Sequence, residues 1–187
     1  MREIRWHARA GQGAKTASQI YATAMLRSGK HVQSFPEYGP ERRGAPMRAY
    51  TRVDDRPIRR RDAVDAPDVV VVLEPSLVAQ GDVVAGLGAR GLLLVNATAA
   101  PAELRARTGC ESEVICVPGE RIAAEYGQQS TNLIMAGALA AALGEPDLET
   151  LVAAATEVLG TKAGREALRA PIAAGFAAVR EDVRWAA

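Results

Sequence analysis

Apolar and polar residues alternate from the fourth position of the chain, with Ile4, Trp6 and Ala8 set against Arg5, His7 and Arg9. A period of two marks a strand with two unlike faces, and this strand runs directly into Gly11-Gln12-Gly13. From Ala14 to Ser28 there is neither glycine nor proline, and Ala17, Ile20, Tyr21 and Ala24 recur at helical spacing before Gly29. That stretch reads as a helix closed by its glycine, and His31 to Phe35 reads as a second strand. Pro36 to Pro46 carries three prolines and two glycines in eleven residues, which excludes regular structure and predicts a loop. Alternation resumes over Met47 to Val53, with Met47, Ala49, Thr51 and Val53 against Arg48, Tyr50 and Arg52. One face of this strand suits a core and the other suits solvent or a partner.

The pattern then changes. Asp68 to Leu73 and Gly91 to Asn96 are almost unbroken apolar runs, as expected of strands buried on both faces of a parallel sheet. Pro75 to Val84, between them, is the length of a crossover helix, and Val114 to Pro118 gives a further short strand. From Gly119 the chain turns helical and alanine-rich. Thr131 to Leu143, Asp147 to Leu159 and Gly164 to Val183 read as three helices, the second entered through the start signal Pro146-Asp147. Strands alternating with helices imply an α/β fold: an open, mostly parallel, three-layer, Rossmann-like sheet with right-handed crossovers, and a helical C-terminal region over one face. With no repeat, linker or composition break, residues 1–187 are expected to form a single domain.

Composition narrows the chemistry. Lys+Arg is 23 against Asp+Glu 22, a net charge of +1, so there is no global field to draw the chain onto nucleic acid. Basic charge is concentrated locally instead, in Arg42, Arg43, Arg48, Arg52, Arg56, Arg59, Arg60 and Arg61. Cys110 and Cys116 lie six positions apart, a spacing that fits neither a zinc ribbon nor an iron–sulfur ligand run. The charged opening Met1-Arg2-Glu3-Ile4-Arg5 is unlike a signal peptide, and no apolar run reaches the roughly 18 residues a membrane span needs. A cytoplasmic protein with reduced thiols and no membrane partner is the expectation.

A strand, then Gly11-Gln12-Gly13, then a helix has the form of an anion cradle, because glycines admit a ligand to the backbone and a helix start presents N–H groups. The same form serves as a tight packing turn. It is not the dinucleotide fingerprint, since Ala8 and Ala10 stand where glycines would be wanted, nor a P-loop, since Gly13 is followed by Ala14-Lys15-Thr16. Lys15 either adds charge to an anion site or lies solvated. Arg42 and Arg43, between Pro40 and Gly44, present two forked guanidinium groups suited either to phosphate or carboxylate or to an interprotein salt bridge. Glu37 and Tyr38 suit a contact to a partner or ligand, or support of the turn. His7 and His31 lack the constellation a catalytic or metal site needs, and no residue is assigned to catalysis. Asn132 and Met135 open a helix whose Gly137, Ala138, Ala140, Ala141 and Ala142 suit core packing or, given only 4% aromatic residues, burial in a neighbouring subunit.

Three segments together resemble the gamma subunit of the 2-oxoacid:acceptor oxidoreductases that act on pyruvate, 2-oxoisovalerate and related acids. They are Ile4-Arg5-Trp6-His7 leading to Gly11-Gln12-Gly13-Ala14, then Phe35 to Pro46, then Thr131-Asn132 with Gly137-Ala138. The resemblance runs from the start to about Thr161, with Ala8 and Ala10 standing where the family usually carries glycine. It implies a complex that oxidises a 2-oxoacid to an acyl-CoA and carbon dioxide and passes electrons to ferredoxin or another acceptor. Thiamine diphosphate, Mg2+ and [4Fe-4S] clusters would sit in partner subunits, with no cofactor in this chain and CoA as cosubstrate. Gly11, Gln12, Gly13, Lys15, Arg42 and Arg43 would then serve CoA, and Glu37, Tyr38 and Asn132 the subunit interface. Small aliphatic 2-oxoacids are the default substrates and phenylglyoxylate an alternative. The competing readings are a stand-alone nucleotide-binding Rossmann-like domain, with Glu37 near the position of a ribose-binding acid, and an assembly module without a ligand.

Overall fold

The computed structural model describes residues 1–37, 44–80, 83–126, 130–160 and 164–179. Six strands form one sheet in the order β2-β3-β1-β4-β5-β6, with β1 at Arg2–Arg9, β2 at His31–Glu37, β3 at Pro46–Asp54, β4 at Val69–Val72, β5 at Leu92–Asn96 and β6 at Glu113–Val117. Strands β1, β4, β5 and β6 are parallel neighbours. Strand β3 runs antiparallel to both β1 and β2, so it alone opposes the common direction. This reversal needs no crossover helix, which is why the short Pro-rich segment before β3 suffices to join it to β2.

One face of the sheet carries the main helical layer: α1 (Ala14–Arg27), α3 (Gly119–Ala123), α4 (Thr131–Leu143), α5 (Leu148–Leu159) and α6 (Arg165–Ala178). Its core joins Ile4, Trp6 and Ala8 of β1 to Ile20, Tyr21 and Met25 of α1 and to almost the whole of α4. A second core on the other face packs Val70, Val72, Leu93 and Val95 under the 3₁₀ segment Pro75–Gln80 and α2 (Pro101–Thr108). Three layers result. The expected crossover helix over Pro75 to Val84 is therefore shorter than its sequence suggested. Beyond it Gly86 has a φ of +76°, and a Cβ there would lie 1.9 Å from the Asp65 carbonyl oxygen, so this loop packs directly on the backbone of the segment that crosses β1 and β3. Helix α5 starts as its sequence signal predicts, with Asp147 Oδ1 accepting the Thr150 N–H at 2.9 Å.

Helices α4 and α6 cross through a pair of glycines. A Cβ on Gly137 would lie 2.2 Å from the Ile172 oxygen, and one on Gly175 would lie 1.9 Å from the Ile134 oxygen. The two backbones are in direct contact, so neither position has room for a methyl group. The small-residue face of α4 is thus covered within the chain, and its burial in a neighbouring subunit is excluded.

The charged side of β1 and β3 is not the open surface its alternation suggested. Arg5, His7 and Arg52 are buried, Arg5 and Arg52 beneath residues 56–66, which cross this face as a strap. Arg52 donates to Glu3 Oε1 at 2.7 Å, to Gln33 Oε1 at 3.3 Å and to the Asp62 carbonyl at 2.9 Å, while Arg5 donates to the Val64 carbonyl at 3.3 Å. A guanidinium with five donors can be buried when strap carbonyls satisfy them, and alternation alone cannot distinguish that from exposure.

Candidate functional site

Strand order reverses between β1 and β4, because the chain leaves β1 toward β2 and β3 on one side and continues from β4 toward β5 and β6 on the other. Ligands in open α/β sheets settle beyond the carboxyl ends of the strands at such a switch point. A groove of about 1050 Å³ opens there, lined by Gly11, Gln12, Gly13 and Thr16 from the β1–α1 turn, Leu73 from the end of β4, and Glu120, Asn132, Leu133, Leu159, Ala167 and Leu168 from the helices, among others.

Gly11 and Gly13 have φ of +99° and +82°, conformations open to glycine at no steric cost. Beside Gly11 there is nothing within 4 Å of a would-be Cβ, whereas one on Gly13 would lie 2.5 Å from Asn132 Nδ2. The first glycine leaves room for a ligand, and the second lets α4 approach α1. Gly13 caps α1 with no side-chain bond to the first turn, which contains no acid, so the helix start is electropositive.

A network braces this turn from the opposite side. Gln12 Oε1 accepts the Arg9 N–H at 2.7 Å, and Gln12 Nε2 donates to Glu74 Oε2 at 2.6 Å. Arg9 donates to the Gly44 carbonyl and to Ser76 Oγ, both at 3.1 Å. Burial pushes Glu74 up, but the bonds from Ser76 and Gln12 and the charge of Arg9 hold it below the usual carboxylate range. At the next strand end, Asn96 donates to the Leu73 carbonyl at 2.9 Å and accepts the Glu120 N–H at 3.2 Å. Sequence reasoning missed Arg9, Glu74, Asn96 and Glu120. A signal existed for Asn96, as a polar residue ending an apolar run marks the carboxyl edge of a parallel strand.

The sequence-predicted residues separate accordingly. Gly11, Gln12, Gly13 and Asn132 meet in the groove. Lys15 is exposed in the first turn of α1 and is not among the lining residues. Glu37 is at the far end of β2, where it accepts the Tyr50 hydroxyl and faces Arg48 at 4.0 Å. With β3 lying between β2 and β1, Glu37 is displaced from where a ribose-binding acid would sit. Tyr38, Arg42 and Arg43 lie outside the described residues. Ala8 is buried in the core, so its methyl points away from the groove and does not hold a ligand off the turn.

In the groove wall formed by α6, Pro171 lies inside the helix and lacks the N–H that would bond the Ala167 carbonyl. Glu120 is the one charged residue among the described lining residues. The groove therefore combines amides, hydroxyls, glycine backbone and apolar side chains. Among the described residues no group of three or more His, Cys, Asp or Glu side chains is placed to hold a metal ion. No described helix is long and apolar enough to cross a membrane.

The family model described as pyruvate ferredoxin/flavodoxin oxidoreductase matches residues 3–180. The chain belongs to this family. It is 45% identical over 169 residues to a protein named pyruvate synthase subunit PorC from Thermotoga maritima, covering 90% of this chain and 88% of that one. It is 43% identical over 175 residues to the pyruvate/ketoisovalerate oxidoreductases common subunit gamma of Thermococcus kodakarensis, covering 91% and 93%. The crystal structure of the Thermotoga maritima pyruvate oxidoreductase subunit PORC superposes with a TM-score of 0.85 at 39% identity, covering 96% of this chain and 97% of that one. A 2-oxoglutarate:ferredoxin oxidoreductase from Magnetococcus marinus, solved with 2-oxoglutarate, coenzyme A and succinyl-CoA bound, shares the fold at TM-score 0.75 and 19% identity. That likeness spans 95% of this chain but 30% of the other. The family's fold is thus present both as a separate subunit and as part of a longer chain.

Proposed function

We propose that this chain is the gamma subunit of a cytoplasmic 2-oxoacid oxidoreductase complex that forms an acyl-CoA and carbon dioxide, and that its own part is to hold CoA and support assembly. Family membership supports the complex, and the groove at the switch point is the observation that carries the role. Its lining suits a neutral, amide-bearing arm: Gln12 and Asn132 offer amides, Thr16, Ser130 and Thr131 hydroxyls, and Leu133, Leu159 and Leu168 apolar contact. A ligand with polar groups at intervals along an aliphatic chain matches such a surface, as the pantetheine arm of CoA does. Its phosphates are assigned to Lys15 and, from the sequence, to Arg42 and Arg43. Thiamine diphosphate, Mg2+, [4Fe-4S] clusters and the site for ferredoxin or another acceptor belong, in this reading, to the other subunits.

Purification of the native complex through a tag on this chain tests the proposal. Partner chains should copurify, and the preparation should reduce a low-potential acceptor only when both a 2-oxoacid and CoA are supplied. A chain that purifies without partners from its own cells, or an activity indifferent to CoA, would overturn it.

A further inference from the structure

The arginine-rich stretch from the end of β3 onward divides into guanidinium groups within salt-bridge distance of a described carboxylate and groups that are not. Arg52 is buried under the strap, and Arg60 pairs with Asp62 and, at 3.5 Å, with Glu3. Of the nearby acids, Asp65 is exposed and outside salt-bridge distance of the described cations, and the others are engaged. Asp54 meets the Met1 ammonium at 3.2 Å and accepts the Arg56 backbone N–H at 3.0 Å, Asp55 meets Lys30 at 2.5 Å, and Asp62 is shared by Arg60 and Arg52. Arg56, Arg59 and Arg61 are exposed, and no described carboxylate lies within salt-bridge distance of their guanidinium groups. The strap therefore carries three exposed guanidinium groups outside salt-bridge distance of the described carboxylates, against one exposed acid, Asp65, a local excess of positive charge.

These charges stand on a fixed backbone. Gln33 Nε2 donates to the carbonyls of Ile58 at 3.3 Å and Arg60 at 2.9 Å, and Arg52 donates to those of Asp62 at 2.9 Å and Ala63 at 3.3 Å. Arg5 holds the Val64 carbonyl at 3.3 Å. Side chains beneath the strap thus pin it at five carbonyls, reducing the ordering cost of presenting arginines to a partner.

The strap is not an extension of the groove. It lies over the Glu3 and Arg5 end of β1, whereas the groove begins beyond Arg9, about 13 Å from Arg5 and about 20 Å from Glu3 along the strand at roughly 3.3 Å per residue. It also covers the opposite face of the sheet from the helices that line the groove, so one anion bound in the groove does not reach both.

We propose that Arg56, Arg59 and Arg61 form a docking surface for a carboxylate-rich face of another subunit of the same enzyme, an inference that rests on the multisubunit reading above. Charge complementarity argues for a protein: arginine is enriched at protein interfaces, the three arginines fall within six residues of one pinned segment, and the chain's net charge of +1 provides no extended basic field for a nucleic acid or membrane. The experiment uses the complete complex, measuring the affinity of this chain for its partner subunits at low and high salt. The triple substitution Arg56→Glu, Arg59→Glu, Arg61→Glu should weaken assembly at least about tenfold at roughly 50 mM salt, and the wild-type affinity itself should fall as salt screens the surface. Arg107→Glu on α2 should leave assembly unchanged. The neutral triple Arg→Gln, with its thermal unfolding checked, should give a smaller loss of the same kind should the Glu variant fail to fold. Wild-type and neutral-variant chains assembling equally well would overturn the docking surface while leaving the multisubunit reading intact; a wild-type chain that finds no partner would overturn both. Capture of the wild type, but not the variant, by anionic vesicles or an oligonucleotide, with assembly unchanged, would also overturn it.

Discussion

The two sides of β1 and β3 are buried by opposite means. Toward α1 and α4 the sheet presents Ile4, Trp6, Ala8 and Ala49 to an apolar core, and the Trp6 indole N–H donates to Thr51 Oγ1 at 3.1 Å. Toward the strap it presents Glu3, Arg5, His7, Tyr50 and Arg52, of which all but Glu3 are buried. Among the described residues no buried side-chain nitrogen or oxygen lacks a partner. An interior can therefore be charged if every donor is met, but the two sides should fail differently. The apolar side is sensitive to volume, and the polar side to the loss of any one partner.

The largest effect is expected on the polar side. Arg52→Met deletes the donors to Glu3, Gln33 and the strap carbonyls, and removing one member of a buried ion pair costs about 3 to 5 kcal/mol. Urea denaturation should show that loss, and a loss under about 1 kcal/mol would contradict the strap's dependence on this residue. On the apolar side, Gly175→Ala forces a Cβ to within 1.9 Å of the Ile134 oxygen, so α4 and α6 must separate at a cost of about 1 to 3 kcal/mol. A neutral result by the same measurement would contradict the backbone contact.

A smaller effect separates the two sides by pH. Burial, then the charges of Arg5 and Arg48, push His7 from 6.5 down to about 3, and its ring accepts the Arg5 Nε–H at 3.0 Å. Below pH 6.5 the unfolded chain takes up a proton that the folded protein refuses, so stability falls as the pH drops, by up to about 1.4 kcal/mol per unit. The fall ends near pH 3, where folded His7 also protonates. In His7→Gln, whose side-chain oxygen can still accept from Arg5, this component is absent. The difference between the two stability curves should be level above pH 7 and amount to about 2 kcal/mol at pH 5. A level difference down to pH 4 would contradict a neutral, buried ring.

Much of the apolar architecture was legible in the sequence, because unbroken runs such as Val69–Val72 and Leu92–Asn96 have few alternatives to a doubly covered strand. Helix α2 was not, since Leu104 is its single buried residue and a helix with no apolar face has no period to detect. Its Pro101 and Gly109 termini were the available signal. The direction of β3 was hidden because alternation is the same read either way, although the short link from β2 excluded a parallel crossover. At the site, the glycine turn was visible as a turn, but its brace through Glu74 joins residues 62 positions apart, a pairing that only the closed sheet creates. The charged side was least legible, because an arginine buried under carbonyls and one in water occupy the same place in a polar–apolar pattern.

The groove's role is the centre of the functional account, and filling it tests that role most directly. Ala167 is exposed and lines the groove from the first turn of α6, so Ala167→Trp occupies the space without entering the core. The assembled complex carrying this substitution should show a CoA Michaelis constant raised about tenfold or more, equivalent to about 1.4 kcal/mol, with the constant for the 2-oxoacid and the subunit composition unchanged. An intact complex whose CoA Michaelis constant matches the wild type would contradict the assignment of this groove to CoA.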